Sequence, residues 1–487
     1  MLLSSCELEL LNKKYEDFEL QILSINDLHG FIVQDEYGLN GISNLSYKIN
    51  SIREENDVDD VLLLANGDMF QGTAVSNMTK GKLVIDCMNM IEFDMMGIGN
   101  HEFDWGIEEI LKYFDGDIGN GEADFPLLNA NIYNKADNTL LAIDNGNVCE
   151  YKIVDKNGLK VCLISYGGDY GSSIESSKIE DYRIDTDITN SVNNICKALK
   201  EQGLCDVVVV NVHYGSGNKN VEDYYINKEL ARLKCANGAY VVDAVINGHT
   251  HQPYYGIIER DGVGMPVVQA ASYNEYLGNI SLSIDMETKE VYASNVKLID
   301  ISNETNYDYE LESYLDLAIS DLELTNLCCA GETVYYKSSL QNWIGSVGLS
   351  ITGADVYVSN TGGIRTNGNI TRGEYVNVAD VWEISPFDNN IMLVEVEYSK
   401  IKTLLSSNSV YYSSKVPLQY GQIYTFAIDN YVYGFSQMDN VRSDKDIDTG
   451  LIIRDYLIED LSIRGNMNID FNPISDYSAV VGLKYNK

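Results

Sequence analysis

The chain has 487 residues, enough for two or three domains of ordinary size, and its 45% apolar content suits buried cores and rules out wholesale disorder. Lys and Arg number 34 against 73 Asp and Glu, a net charge of −39. A surface that negative repels phosphate backbones and anionic lipid, which argues against nucleic-acid polymers and membrane surfaces as partners.

In chain order, residues 18–25, 61–65, 161–165, 207–212 and 241–246 read as strands. Their apolar runs lack alternation, as in strands buried on both faces beneath helices, so an α/β layer structure is expected. Trp105, Ile110, Leu111 and Phe114 form one helical stripe; Val192, Ile195 and Leu199 form another, just before the 207–212 strand. The cluster Met88, Met90, Met95 and Met96 reads as core filling. Near residue 302 the texture changes to a polar, turn-like stretch. Leu311, Leu315, Ala318 and Leu322 then mark an amphipathic helix of about four turns, a plausible spacer. From about residue 333 mixed α and β patterns resume, with glycine turns at Gly362-Gly363 and Gly368. The expected organisation is a first domain at 18–302, a helical linker at 303–328 and a second domain at 329–487.

No apolar run approaches the ~20 residues that span a bilayer. No secretory signal is readable, and Leu3-Ser4-Ser5-Cys6, shaped like a lipoprotein cleavage box, lacks a hydrophobic segment before it. The compartment therefore stays open, as does the oligomeric state. Nine scattered cysteines without a Cys-x-x-Cys spacing suggest reduced thiols, neither a disulfide framework nor a zinc ribbon.

Only five histidines occur, at 29, 101, 213, 249 and 251. Each lies just after a strand-like run or in a turn flanked by Gly or Asn: NDLHG at 26–30, GNHEFD at 99–104, NVHYG at 211–215 and NGHTHQP at 247–253. A further segment, ANGDMFQG at 65–72, places Asp68 just past a strand. Side chains at such strand ends converge on the crevice where α/β proteins bind ligands. Imidazole, carboxylate and carboxamide make a mixed nitrogen and oxygen set suited to zinc, manganese or iron, with more ligands than one tetrahedral ion takes. Any one of these segments alone is an ordinary turn. Together they absorb every histidine, and a shared metal centre is expected.

These segments, in this order, resemble the calcineurin-like metallophosphatases over about residues 18–300. GNHEFDWG is similar to the 5′-nucleotidase branch, and SNTGGIR at 359–365 with SPFDN at 385–389 resembles the motifs of that family's C-terminal domain. The resemblance implies a four-layer α/β/β/α sandwich followed by a smaller α+β substrate-binding domain. It implies two divalent ions: Asp27, His29 and His251 on the first, Asn100, His213 and His249 on the second, and Asp68 bridging. A shared carboxylate offsets the repulsion of two cations ~3.5–4 Å apart. His101 matches the family's catalytic histidine and Asp104 its partner; the plainer role of Asp104 is to cap the helix expected from Trp105, and the two roles are compatible. Asn360 and Arg365 match substrate-holding residues, Phe387 one ring of a base sandwich and Asn389 a contact to the base edge.

Two stretches depart from the family pattern. The second ring normally precedes Gly-Gly-Asp-Gly, but residues 430–435 read NYVYGF, leaving Tyr431 as the candidate and Phe435 as the alternative. Residues 337–344 read KSSLQNWI where the family has a glutamate and Leu-Gly-Asn. The implied activity is hydrolysis of nucleoside 5′-monophosphates by metal-activated water, with a nucleotide as the partner. A 2′,3′-cyclic nucleotide phosphodiesterase/3′-nucleotidase or a UDP-sugar pyrophosphohydrolase would use the same metals. A nucleotide-binding protein without catalysis is the alternative of another class.

Overall fold

The computed structural model describes residues 17–34, 40–56, 60–170, 173–320, 322, 326–330, 338–365 and 370–464. The cysteine box at 3–6, Lys337 and Gly368 lie outside the described residues. Two compact units result: one of Met1–Gln71, Thr79–Ile174 and Lys178–Ala318, the other of Gly72–Met78, Glu175–Ser177 and Ile319–Lys487. Among the described residues no helix is long and apolar enough to cross a membrane.

The first unit is built on two sheets. In one, Asp17–Ile25 runs parallel to Val61–Ala65, followed by Met95–Gly97, Leu127–Leu128 and Val148–Cys149, all parallel. Tyr276–Asp285 and Glu290–Asp300 complete its other edge antiparallel. The second sheet centres on Leu159–Gly167, Val207–His213, Ala244–Asn247 and Met265–Ala270, also parallel, with antiparallel edges Tyr151–Lys156 and Pro253–Ile258.

Strand Val207–His213 explains the layering. Val207 and Val209 join Leu20, Ile22, Leu62 and Leu64 in a core shared by the two sheets. Val208, Val210 and Val212 face the other way, against Val192, Cys196 and Leu199 of helix Ile188–Glu201. Apart from Asn211 and His213 near its end the strand is all valine, and a strand apolar on both of its period-two faces must be covered on both. Helix Ile42–Glu55 buries Ile42, Leu45, Ile49 and Ile52 as a single stripe. The result is the α/β/β/α sandwich. Because both sheets are parallel at their centres, the carboxyl ends of five strands open to the same side, and the five candidate segments follow those ends.

Three local expectations are corrected. The 241–246 strand begins only at Ala244, because Asp243 turns its carboxylate back onto the Val208 N–H and the Lys200 ammonium, 2.8 and 2.6 Å away. The stripe from Trp105 to Phe114 is not one helix. Gly106, at φ 87°, separates a short 3-10 turn, His101–Phe103, from helix Ile107–Leu111, and a second 3-10 turn follows at Lys112–Phe114. The spacer helix runs Tyr309–Ser320 and stops before Leu322, burying only Leu311 and Leu315 of the predicted stripe.

The second unit holds a five-stranded sheet in the order Val410–Ser414, Val356–Asn360, Ile423–Asp429, Asn390–Glu397, Ile447–Ile452. Tyr357 packs on one face with Trp343 of helix Ser338–Thr352 and with Leu457 and Leu461 of helix Ile453–Arg464. Its neighbours Val356 and Val358 pack on the other face with Ile401 and Leu404 of helix Tyr398–Leu405.

Candidate functional site

In the first unit the candidate ligands meet. The ligand atoms of Asp27, His29 and His251 lie within 4.8 Å of one another, as do those of Asp68, His213 and His249. Asn100 joins the second group through its side-chain oxygen, 2.7 Å from His249 Nδ1. All seven belong to loops just past, or the last residue of, a central strand.

The chain bends sharply to aim them. Asp27, His29, Asp68, His249 and His251 have φ between 51° and 72°, the left-handed region that costs a non-glycine residue ~1–2 kcal/mol. Backbone hydrogen bonds hold these bends: Asp27 N–H to Gly67 O and His29 N–H to Asp68 O, both 3.0 Å. Gly67 and Gly99 make room. A Cβ on Gly99 would overlap Asp68 Oδ1 and collide with His213 Nε2, and one on Gly67 would strike Gly99 and His213. Asn66 ties the two sheets together beneath the site, its amide donating to Val212 O and Ile246 O at 3.1 Å each.

The hydrogen bonds leave lone pairs facing one another. His29 Nδ1 lies 2.8 Å from the Gln71 carbonyl, so Nδ1 carries the proton and Nε2 its lone pair, 3.1 Å from His251 Nε2. Burial, reinforced by nearby His101, lowers the His29 pKa to about 3. His249 is lowered to about 4 by burial and by the neighbouring His213 ring. His213 gives Nδ1–H to the Asn66 carbonyl at 2.5 Å. Its Nε2 is buried without a formed hydrogen bond, although Asp68 Oδ2 is 3.0 Å away. Burial disfavours a charged ring there, yet the Asp68 carboxylate outweighs it and raises the His213 pKa to about 10. Asp68 is held well below the carboxylate range, because its histidine neighbours, His213 foremost, overcome the cost of burial. Two carboxylates, Asp68 and Asp27, face this buried Nε2 at 3.0 and 3.9 Å, surroundings that favour a cation. The donor set, carboxylate, imidazole and carboxamide, fits divalent ions of the zinc and manganese type.

His101 lies at the edge of this cluster. Its backbone N–H donates to Asp68 Oδ1 at 2.8 Å and its Nδ1 lies 2.7 Å from Asp104 Oδ2. Its ring is 5.0 Å from that of His29, and ligand atoms of His29, Asp68 and His101 also fall within 4.8 Å of one another. Asp104 therefore faces the histidine directly. The helix Ile107–Leu111 begins beyond it, after Gly106, so the capping role does not hold.

Two elements of the site were not legible. Glu102, fully buried, accepts N–H bonds from Asp68, Met69 and Gly99 at 2.8, 2.8 and 2.6 Å and so joins two ligand loops. Burial, and then the nearby Asp68 charge, raises its pKa to about 7. Its place between His101 and Asp104 was the available signal. Tyr214 stacks on His249, centroids 5.0 Å apart and planes 18° from parallel; one residue after His213, it had no separate signal.

In the second unit, Asn360 ends strand Val356–Asn360 and its N–H donates to Asp429 Oδ2 at 3.2 Å. Asp429 also caps the short helix Asn430–Tyr433, accepting from Val432 N–H at 2.8 Å, so one carboxylate links Asn360 to the turn carrying Tyr431. Tyr431 packs edge-on against Phe435, centroids 5.3 Å apart. The Arg365 guanidinium lies over the Phe387 ring, 5.3 Å from its centroid. Asn389 is half-buried two residues further on, just before strand Asn390–Glu397.

The profile of calcineurin-like phosphoesterases matches residues 20–253 and that of the 5′-nucleotidase C-terminal domain residues 324–444. A trifunctional nucleotide phosphoesterase of Bacillus subtilis is 24% identical over 85% of this chain, which spans 29% of that protein. A snake venom 5′-nucleotidase of Crotalus adamanteus is 26% identical over 66% of this chain and 54% of its own length. For a 5′-nucleotidase of Vibrio cholerae the figures are 23%, 80% and 75%. The chain thus spans about three tenths of the first of these relatives and just over half of the second. Among solved structures, a putative 5′-nucleotidase from Staphylococcus aureus shares the fold with a TM-score of 0.71 at 18% identity, covering 93% of this chain and 98% of that one. A 5′-nucleotidase precursor from Thermus thermophilus gives 0.69 at 19%, covering 93% and 97%. With a two-sheet sandwich that gathers seven ligand-type side chains and a second unit matched by its own profile, the chain pairs a calcineurin-like phosphoesterase domain with a 5′-nucleotidase C-terminal domain.

Proposed function

We propose that the chain hydrolyses nucleoside 5′-monophosphates to nucleoside and phosphate as a phosphoesterase with two divalent ions. In this reading Asp27, His29 and His251 hold one ion, Asn100, His213 and His249 the other, and Asp68 is common to both. The observation that carries it is the close approach of ligand-type atoms within each set: His29 Nε2 against His251 Nε2 at 3.1 Å and His213 Nε2 against Asp68 at 3.0 Å. A proton or a metal ion between them makes such contacts favourable, and a divalent ion for each set serves both at once.

When bound, a pair of divalent ions supplies Lewis acidity to the phosphoryl oxygens and lowers the pKa of water toward neutrality. The chain's own groups do the rest. Asp104 takes the His101 Nδ1–H and fixes the ring, so Nε2 is the atom that stabilises phosphoryl charge or protonates the leaving oxygen. Glu102 keeps the Asp68 and Gly99 loops in register. Asn360 and Arg365 hold the polar part of the nucleotide, Phe387 and Tyr431 its base, and Asn389 the base edge. The names of the Vibrio and Crotalus relatives support a 5′-nucleotide as substrate. A second reading is cleavage of 2′,3′-cyclic nucleotides or UDP-sugars; the likeness to a relative named a trifunctional nucleotide phosphoesterase supports more than one kind of nucleotide ester as substrate.

Phosphate release measured on 5′-AMP, 3′-AMP, 2′,3′-cyclic AMP and a UDP-sugar at equal concentration separates the readings. Highest kcat/KM on 5′-AMP supports the first. Dominance of the cyclic substrate replaces it with the second, and binding of 5′-AMP without any turnover means a nucleotide-binding protein.

A further inference from the structure

Residues 385–389 join helix Val378–Ile384 to strand Asn390–Glu397 and carry Phe387 and Asn389. Nothing in the loop's own sequence except Pro386 stiffens it. Behind it stands Arg454, in the first turn of helix Ile453–Arg464, only 3% exposed. Its Nη1 donates to the Ser385 and Phe387 carbonyls at 3.2 and 3.4 Å, its Nη2 pairs with Asp388, and its guanidinium stacks on Trp382, 3.4 Å from the ring centroid.

We infer that Arg454 is a positioning residue for base recognition, clamping the Ser385–Asn389 loop so that the Phe387 ring is presented in one orientation. The inference rests on the reading of Phe387 as a base-stacking ring. Each contact of the clamp has a reason. The Ser385 carbonyl closes the helix Val378–Ile384, where a cation is favoured by the helix dipole. The planar fork of a guanidinium reaches two carbonyls and a carboxylate at once, which an ammonium cannot reproduce. Trp382 covers the guanidinium face and excludes water, strengthening these bonds. The loop is therefore fixed on its inner side while Phe387 stays half-exposed on the other, with Arg365 over it. A ring held in advance loses little freedom when a base stacks on it.

The test compares 5′-AMP with ribose 5-phosphate, which has the same ester and no base, in wild type, Arg454→Lys and Arg454→Met. Folding is followed by thermal melting, and adenosine affinity by calorimetry. Both variants are expected to raise KM for 5′-AMP and Kd for adenosine by about tenfold, the order of one base-stacking contact. The change in kcat should be small, and the penalty on ribose 5-phosphate several-fold smaller. A parallel loss on both substrates would make Arg454 a scaffold residue and overturn the inference, as would unchanged adenosine binding in a folded variant. If Arg454→Met does not fold, Asp388→Asn, which weakens one anchor, should shift the same ratio in the same direction; no shift overturns the inference. If wild type itself does not prefer 5′-AMP to ribose 5-phosphate, the base-stacking reading fails instead, and this inference with it.

Discussion

The two units carry their candidate chemistry in opposite ways. In the first, five of the seven ligand-type side chains are buried and His249 and His251 partly so, five stand on left-handed backbone, and bonds such as Asp27 N–H to Gly67 O and His29 N–H to Asp68 O tie the loops together. In the second, the candidates are half-exposed or, at Arg365, exposed, on ordinary backbone, and two of them are held through their main chain, Asn360 by Asp429 and Phe387 by Arg454. Rigid charge placement is what phosphoryl chemistry demands. Stacking on a base tolerates far more variation.

Substitutions should therefore hurt unequally. Asp68→Ala should lower kcat on 5′-AMP by about 10³-fold or more, corresponding to several kcal/mol of lost transition-state stabilisation, and should lower bound metal. Substantial activity in a metal-replete variant would break the contrast between the units. His101→Ala should cost about 10²- to 10⁴-fold in kcat, the range of a general acid, with metal content unchanged. Loss of metal with that substitution would make His101 a ligand. Glu102→Gln, which leaves one loop N–H poorly served, should weaken metal affinity by about 10–100-fold and lower the melting temperature. An unaltered affinity would mean that the ligand loops are rigid without it. Phe387→Ala, the mildest, should raise KM for 5′-AMP by about tenfold and leave ribose 5-phosphate almost untouched. Equal effects on both would remove Phe387 from base recognition.

The same contrast governs what the sequence reveals. A layered α/β structure was legible because a strand such as Val207–His213, with valines on both faces, must be covered twice, whereas the four-layer sandwich came only from the resemblance of the motifs. The candidate centre was legible because histidine is rare here and each occurrence follows a strand. The backbone bends at Asp27 and His249 were not, since aspartate and histidine adopt positive φ only where surrounding packing enforces it. Nor was Glu102, whose three N–H donors come from two loops brought together only on folding. The single helix expected from Trp105 to Phe114 failed on Gly106, whose φ of 87° outweighed the apolar spacing. In the second unit the motifs marked loops, but the residues that shape them, Asp429 and Arg454, lie forty and more positions away from Phe387 in sequence and carry no local pattern.

The most direct test of the whole account is metal stoichiometry by elemental analysis of purified protein, dialysed against buffer containing zinc or manganese, for wild type beside Asp68→Ala. The account predicts about two ions per folded wild-type chain, the number a shared carboxylate serves, and fewer in the variant. A folded wild type that retains no metal, or a variant that retains as much, would contradict it.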